Sequence, residues 1–462
     1  MNSPHDLTRR RFIGQACAAV GATGMLSALA QLRMIGALAA DAAPTDYKAL
    51  VCLFLYGGND SNNLLVPVDT TNYQLYSSAR TVLALPQSTL LGISPKTYSD
   101  GRSWALHPSL VEVQSLFGKG NLAILANTGT LVQPVTLPQF KAGTVALPPQ
   151  LFSHADQQVQ WQSSVPDQPF STGWGGRLAD IVNALNSNPK ISMSVSVAGQ
   201  NSFQVGNMVS QYAVSPSGAV VLSGTTGSTL ATNRYAAQQH ILSQQEQNLF
   251  EAAFGGATSS AITNSQLLNS ILASAPKLST TFPTTSIASQ LKMVAQMIGA
   301  APQLGLTRQV FFASLGGFDL HSDQLGAHAT LFTQLSQALS AFSSATAELG
   351  VQNQVTTFTA SDFSRTFNTN GTSDGTAGSD HGWGSHHLIM GGAVKGGDIY
   401  GTVPLLELGG PQDTGRGRWI PTTSVDEYAA TLATWFGVSA TSLKTVLPNI
   451  GRFATSNLGF MG

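Results

Sequence analysis

The segment Ala49-Leu50-Val51-Cys52-Leu53-Phe54-Leu55-Tyr56 is apolar throughout and then breaks into the polar turn Gly57-Gly58-Asn59-Asp60. A run of this length without alternation predicts a strand buried on both faces, as in a parallel sheet covered by helices. Leu122 to Ala126 predicts a second strand, entering Asn127-Thr128-Gly129. Arg308 to Leu315 predicts a third, ending in Gly316-Gly317-Phe318-Asp319-Leu320-His321. Gln354 to Thr359 predicts a fourth, ending in Ala360-Ser361-Asp362. Three of the four release a carboxylate at their C-terminal end, the edge at which open α/β sheets bind ligands.

Helical spacing fills the intervals. From Gln324 to Leu349 the apolar positions Leu325, Leu331, Phe332, Leu335, Leu339 and Phe342 recur near every third or fourth residue until Gly350, which predicts a crossover helix between the third and fourth strands. Ser424 with Glu427 three residues on predicts a capped helix start, and Gly437 its stop. The expected fold class is therefore α/β, a doubly wound and mostly parallel sheet with helices on both faces. Residues 190–285 are richer in Ser, Thr, Gly, Gln and Asn. They predict a helical polar insertion or cap, with helices near Asn233–Phe254 and Ile262–Ser274.

The N-terminus changes where this domain is expected to work. Thr8-Arg9-Arg10-Arg11-Phe12-Ile13 precedes an uncharged, Ala- and Gly-rich stretch from Gly14 to Gln31, the pattern of a twin-arginine (Tat) export signal. Ala37-Leu38-Ala39 and Ala40-Asp41-Ala42 both suit signal peptidase, so residues 1–42 are expected to be removed and 43–462 to form one domain. The stretch is weakly hydrophobic and Arg33 interrupts the residues beyond it, which argues against a stable membrane anchor. The expected location is the periplasm or the cell exterior, with the Tat machinery as export partner. Cys17 lies in the signal, leaving Cys52 alone, so no internal disulfide is expected in the mature chain. A net charge of -1 speaks against a nucleic-acid partner.

Candidate chemistry is concentrated late in the chain. Ser379-Asp380-His381-Gly382-Trp383-Gly384-Ser385-His386-His387 holds three of the nine histidines, and His321 and His328 add two more upstream. Neutral imidazole and ionised carboxylate are common donors to zinc and related ions, and Gly382 and Gly384 allow a tight bend. Ser153 follows a Pro-rich loop and stands before a predicted helix at Ala155 to Ser163. A helix N-terminus there suits a nucleophilic alkoxide or an incoming anion, although it equally suits a capping serine. Thr128 is the fallback nucleophile. His154 is a candidate ligand or proton donor, and Arg365 a candidate clamp for an anionic oxygen. No Gly-x-Gly-x-x-Gly follows the first strand and no cysteine cluster is present, which removes support for redox chemistry.

Seven motifs occur in a characteristic order: Gly57-Gly58-Asn59-Asp60, Ser153-His154-Ala155-Asp156, Gly173-Trp174-Gly175-Gly176-Arg177, Gly316 to His321, Ser361 to Thr366, Asp380-His381-Gly382 and Ile420-Pro421-Thr422-Thr423. In this the chain resembles the Tat-exported bacterial family known as domain of unknown function fifteen-oh-one, itself similar to the alkaline phosphatase and sulfatase superfamily. The resemblance implies an alkaline phosphatase-like fold, one or two divalent metal ions (zinc, manganese or calcium) and attack on phosphorus or sulfur. Residue by residue it implies that Asp60, Asp319, His321 and Asp362 are metal ligands. Phe363 stands where the superfamily has a histidine, so either Asp380 and His381 replace it from the following loop or one metal site is lost, and His386 or His387 would match the last histidine ligand, His387 being the residue chosen. The implied function is an exported metal-dependent hydrolase of small anionic phosphate or sulfate esters. A non-catalytic exported binding or assembly protein on the same fold is the alternative.

Overall fold

The structure, a computed structural model, describes residues 46–462 apart from 187, 188, 221, 226, 245–247, 276, 374 and 375. The twin-arginine segment and the cleavage positions lie outside the described residues. The main sheet is built from β1 (Lys48–Leu55), β2 (Leu122–Gly129), β3 (Ser194–Ser196), β4 (Tyr212–Ala213), β5 (Arg308–Leu315), β6 (Val355–Ser361), β7 (Ser385–Met390), β8 (Ile399–Gly401) and β9 (Thr423–Ser424). Across the sheet the order is β8-β2-β7-β6-β1-β5-β3-β4, with β9 also beside β2. Every neighbouring pair is parallel except those made by β7, which runs antiparallel to both β2 and β6. Residues 46–462 form one compact unit.

Burial explains why β1 reads as unbroken apolar sequence. It lies between β5 and β6, with Ala49 to Leu55 all buried. Among the helices are α1 (His154–Ser163), α2 (Trp174–Val182), α3 (Thr229–Leu242), α4 (Leu249–Ser274), α5 (Ser286–Gly299), α6 (Gln324–Glu348) and α7 (Val425–Phe436), of which α3 and α4 pack on each other. On one side α5 packs on β5 and on α6; on the other α2 also meets β5, α1 meets β6 and α7 meets β1. α6 is the expected crossover from β5 to β6. Ser424 and Glu427 make the expected reciprocal capping box, and Gly437 ends α7 with φ +121°. Among the described residues no helix is long and apolar enough to cross a membrane.

The structure departs from the sequence pattern at two elements. The helix expected over 233–254 is instead two: α3 ends at Leu242, and Asn248 caps α4 by accepting a hydrogen bond from Phe250 N. The surrounding Gln, Ser and Ala residues are acceptable on either side of such a break, so composition hid it. His386 and His387, assigned to no strand from the sequence, belong to β7, between β2 and β6. Their side chains therefore project to opposite faces.

Candidate metal centre

The parallel strands β5, β1 and β6 lie side by side, so the segments that follow them emerge at one edge. Asp319 follows β5, Asp60 follows β1 and Asp362 follows β6 directly. Gly57 has φ +113°, and a Cβ there would lie 2.3 Å from the backbone nitrogen of Asp319, so only glycine lets these two turns approach. The segment around His381 joins them by pairing with the chain after β6. Gly382 N donates to Ser364 O (2.7 Å), Thr366 N donates to Asp380 O (2.8 Å), and His381 bridges Arg365.

Three residues from distant parts of the chain, His154, Asp319 and His381, converge into a group able to hold a metal ion. His154 Nε2 lies 3.1 Å from His381 Nε2, and Asp319 Oδ1 lies 3.3 and 3.4 Å from those two atoms. His321 Nε2 is next to the group, 3.1 Å from His381 Nε2 and 2.9 Å from Asp319 Oδ1. The cluster opens to solvent, with side-chain exposures of 27% for His154, 24% for His381 and 46% for Asp319.

The other face of each ring is committed to oxygen. His154 Nδ1 meets Asp362 Oδ2 at 2.6 Å, His381 Nδ1 meets the carbonyl of Phe152 at 2.6 Å, and His321 Nδ1 meets Asp380 Oδ1 at 3.2 Å. A carboxylate and a carbonyl only accept, so each Nδ1 carries the proton and each Nε2 is left with its lone pair turned toward the others. His381 has one such lone pair and two Nε2 neighbours at 3.1 Å. Relieving both contacts with protons alone would require two imidazolium charges, whereas one cation relieves them together. A tetrahedral ion about 2.0 to 2.1 Å from its ligands separates them by roughly 3.3 to 3.4 Å. Two spacings of the three-residue group, 3.3 and 3.4 Å, match that value and the third, 3.1 Å, is slightly shorter, so the donor set fits a divalent ion.

Outer contacts hold these groups. Asp362 is fully buried and also accepts from Gln158 Nε2 (2.8 Å) and Gly57 N (3.2 Å). Its hydrogen bond raises the His154 pKa, against the opposing effect of burial. Burial, with the charge of Arg365 adding to it, lowers that of His381. Arg365 Nη1 donates to Asp319 Oδ1 (2.7 Å) and to Gly57 O (3.1 Å), and Nη2 donates to the carbonyl of Ser379. Partial burial works to raise the Asp319 pKa, but the Arg365 contact prevails and holds it below the usual carboxylate value. Phe363 lies behind the cluster, stacked on His381 at 4.7 Å and tilted against His154 at 4.8 Å. The apolar side chain at this position walls the centre, and His381 from the following loop supplies an imidazole beside it.

The remaining sequence candidates lie elsewhere. Asp60 is buried, paired with Arg80 and bonded by Gln324 Nε2, and it accepts from Asn62 N at the start of a short helix. His387 is buried on β7, its ring 4.7 Å from that of Trp161, and burial pushes its pKa down to about 3. Asp380 touches His321 and is paired with Arg416. Ser153 precedes α1, and its Oγ donates to Asp156 Oδ2 at 2.6 Å. Thr128 is fully buried in β2. Sequence reasoning did not single out Phe152, Gln158, Arg416 or Arg418. The only hint was Gly415-Arg416-Gly417-Arg418, two cations between glycines in a chain poor in charge.

The arrangement defines an α/β protein with a His–Asp cluster at the carboxyl edge of its parallel strands. The chain belongs to the family described as Protein of unknown function (DUF1501), which matches residues 47–414. No curated protein gives a significant sequence match. Among solved structures the chain is similar to the C-terminal periplasmic domain of EcEptC from Escherichia coli, at 10% identity over 90% of each chain with a TM-score of 0.36. It is also similar to the PsFucS1 sulfatase from Pseudoalteromonas sp., at 11% identity over 94% of this chain and 73% of that one, TM-score 0.35. These superpositions are loose, and the fold assignment stands on the strand order of the chain itself.

Proposed function

We propose that this protein is an exported metal-dependent hydrolase of phosphate or sulfate esters. The observation that carries this is the meeting of His154 and His381 at 3.1 Å through Nε2 atoms whose partner nitrogens are both fixed by oxygen, beside Asp319. His154, Asp319 and His381 would hold one ion, with His321 adjacent. One ion rather than two is proposed because both Nε2 neighbours share the single lone pair of His381. Mixed imidazole and carboxylate donors suit zinc or manganese, and suit calcium poorly because calcium takes oxygen ligands. Such an ion supplies Lewis acidity toward a nonbridging ester oxygen and makes a nucleophile more acidic.

The chain's own groups do the rest. Asp362 and the Phe152 carbonyl fix the tautomers of His154 and His381. Arg365 is buried and has both Nη groups engaged, so it orients Asp319 and does not touch substrate. Asp60 and His387 support the fold. Ser153, one residue before His154, is the proposed nucleophile, with Asp156 placed to take its proton. Export to the periplasm by the Tat route completes the proposal and comes from the N-terminal sequence.

The test is metal analysis of protein purified without chelator, followed by turnover of aryl phosphate and aryl sulfate esters. About one zinc or manganese per chain, with turnover lost in Ser153→Ala and metal retained, supports the proposal. Protein without metal or turnover, even after incubation with zinc, would leave the alternative of a non-catalytic binding protein standing.

A further inference from the structure

The charges around the cluster are almost completely matched. Asp319 pairs with Arg365, Asp380 with Arg416, and Asp362 with His154. Arg418 is left over. Its Nε donates to the carbonyl of His381 at 2.7 Å, and its guanidinium carbon stands 4.7 Å from the centre of the Phe152 ring. Phe152 is the residue whose carbonyl fixes the His381 ring, so both anchors of Arg418 belong to the immediate support of the centre. The nearby Asp413 is already occupied: its Oδ1 accepts from the backbone nitrogens of Gly415, Gly417 and Arg418, and its Oδ2 from Gly409. Among the described residues, Arg418 Nη1 and Nη2 make no hydrogen bond.

A guanidinium oriented by a ring on one face and a carbonyl at Nε, with its outer edge unengaged, matches the geometry that binds two oxygens of a tetrahedral anion. We infer that Arg418 is the substrate-anion residue of this centre, presenting Nη1 and Nη2 to two oxygens of a phosphoryl or sulfuryl group. The inference rests on the metal-centre proposal and goes beyond it by naming the side chain that selects an oxyanion. It also reassigns the clamp expected at Arg365, whose own guanidinium is consumed by Asp319 and two carbonyls. Phe152, held at φ +73° in a region unfavourable for an aromatic residue, acts as the platform that sets the plane of Arg418.

Binding of inorganic phosphate and inorganic sulfate to zinc-loaded full-length mature protein, measured by titration calorimetry, tests this without reference to turnover. Arg418→Gln is expected to weaken binding of the preferred anion by roughly 10- to 100-fold, measured on protein whose zinc content per folded molecule is matched to wild type. Arg418→Lys keeps the charge and loses the fork, and is expected to fall between Arg418→Gln and wild type. The wild-type protein's preference between the two ions distinguishes a phosphate-ester from a sulfate-ester substrate. Equal affinity in wild type and both variants, or no binding of either ion to zinc-loaded wild type, overturns the role of Arg418. Wild type that takes up no zinc overturns the metal-centre proposal instead.

Discussion

His154 and His381 face each other through Nε2 at 3.1 Å while their Nδ1 atoms are held by Asp362 and by the carbonyl of Phe152. Two rings fixed in this way cannot both turn aside, because rotating either one breaks a short hydrogen bond to oxygen. The pair is held in the arrangement that the proposed cation would bridge.

The first expectation concerns the ion. His154→Ala, Asp319→Ala and His381→Ala should each lower bound zinc from about one per chain to a small fraction, with the far-UV spectrum retained. Chelator should lower the melting temperature of wild type, and zinc should restore it, because an ion bound only by the native state stabilises that state. Elemental analysis and thermal scans read both effects. Full zinc content in the Asp319 and His381 variants would remove the site from this cluster.

Asp60 should behave in the opposite way. Removing its carboxylate in Asp60→Ala leaves the buried Arg80 without a counter-charge, a loss of about 3 to 5 kcal/mol that denaturant unfolding would register. Zinc bound per folded molecule should not change. A variant of unaltered stability that had lost its metal would make Asp60 a ligand after all.

Gly57→Ala separates backbone geometry from ligand chemistry. The added methyl would meet the backbone nitrogen of Asp319 at 2.3 Å at a φ of +113°. It should cost more than about 1 kcal/mol and weaken zinc affinity by displacing Asp319, although no donor atom has been removed. Zinc titration monitored by competition with a chromophoric chelator gives the answer.

Asp426, at the start of α7, is buried with Oδ1 unpartnered among the described residues. Burial pushes its pKa up from 3.8 to about 7, against the opposing influence of Ser164 and Arg177. A folded-state pKa above the unfolded one means the native protein binds the extra proton. Its contribution to stability is therefore full below about pH 4 and is lost as pH rises toward 7 and through it. The slope from this group should approach about 1.4 kcal/mol per pH unit at most. Asp426→Asn should flatten the profile over that interval. Identical pH dependence of the unfolding midpoint in wild type and variant would exclude the effect.

Legibility from sequence followed the range of the forces involved. β5 emerged with the expected bounds, and the box formed by Ser424 and Glu427 sits where three-residue spacing placed it. Strand period and capping are local properties, so one sequence reveals them. Whether His386 and His387 lie in a loop or a strand depends on β2 and β6 on either side, far away in the chain, and Ser385–Met390 contains no alternation to reveal it. The convergence of Asp319 and His381 could be anticipated from the strand-edge rule. Which carboxylates were already spoken for could not: Arg80 claims Asp60 across 20 residues, and Arg365 claims Asp319 across 46. The outer edge of Arg418 was invisible for the same reason, since Asp413 and the His381 carbonyl define it only in three dimensions.

His154 and His381 stand 227 residues apart, and the structure brings them within one atomic contact. An ion bound there would act as a removable cross-brace, closing a circuit that includes β3, β4, β5 and β6. Unlike a covalent crosslink, it would be absent from the unfolded chain, so its whole binding free energy would count toward the folded one. A polypeptide emerging in order cannot fasten that brace before His381 has been made, so loading of the proposed ion would come late in folding.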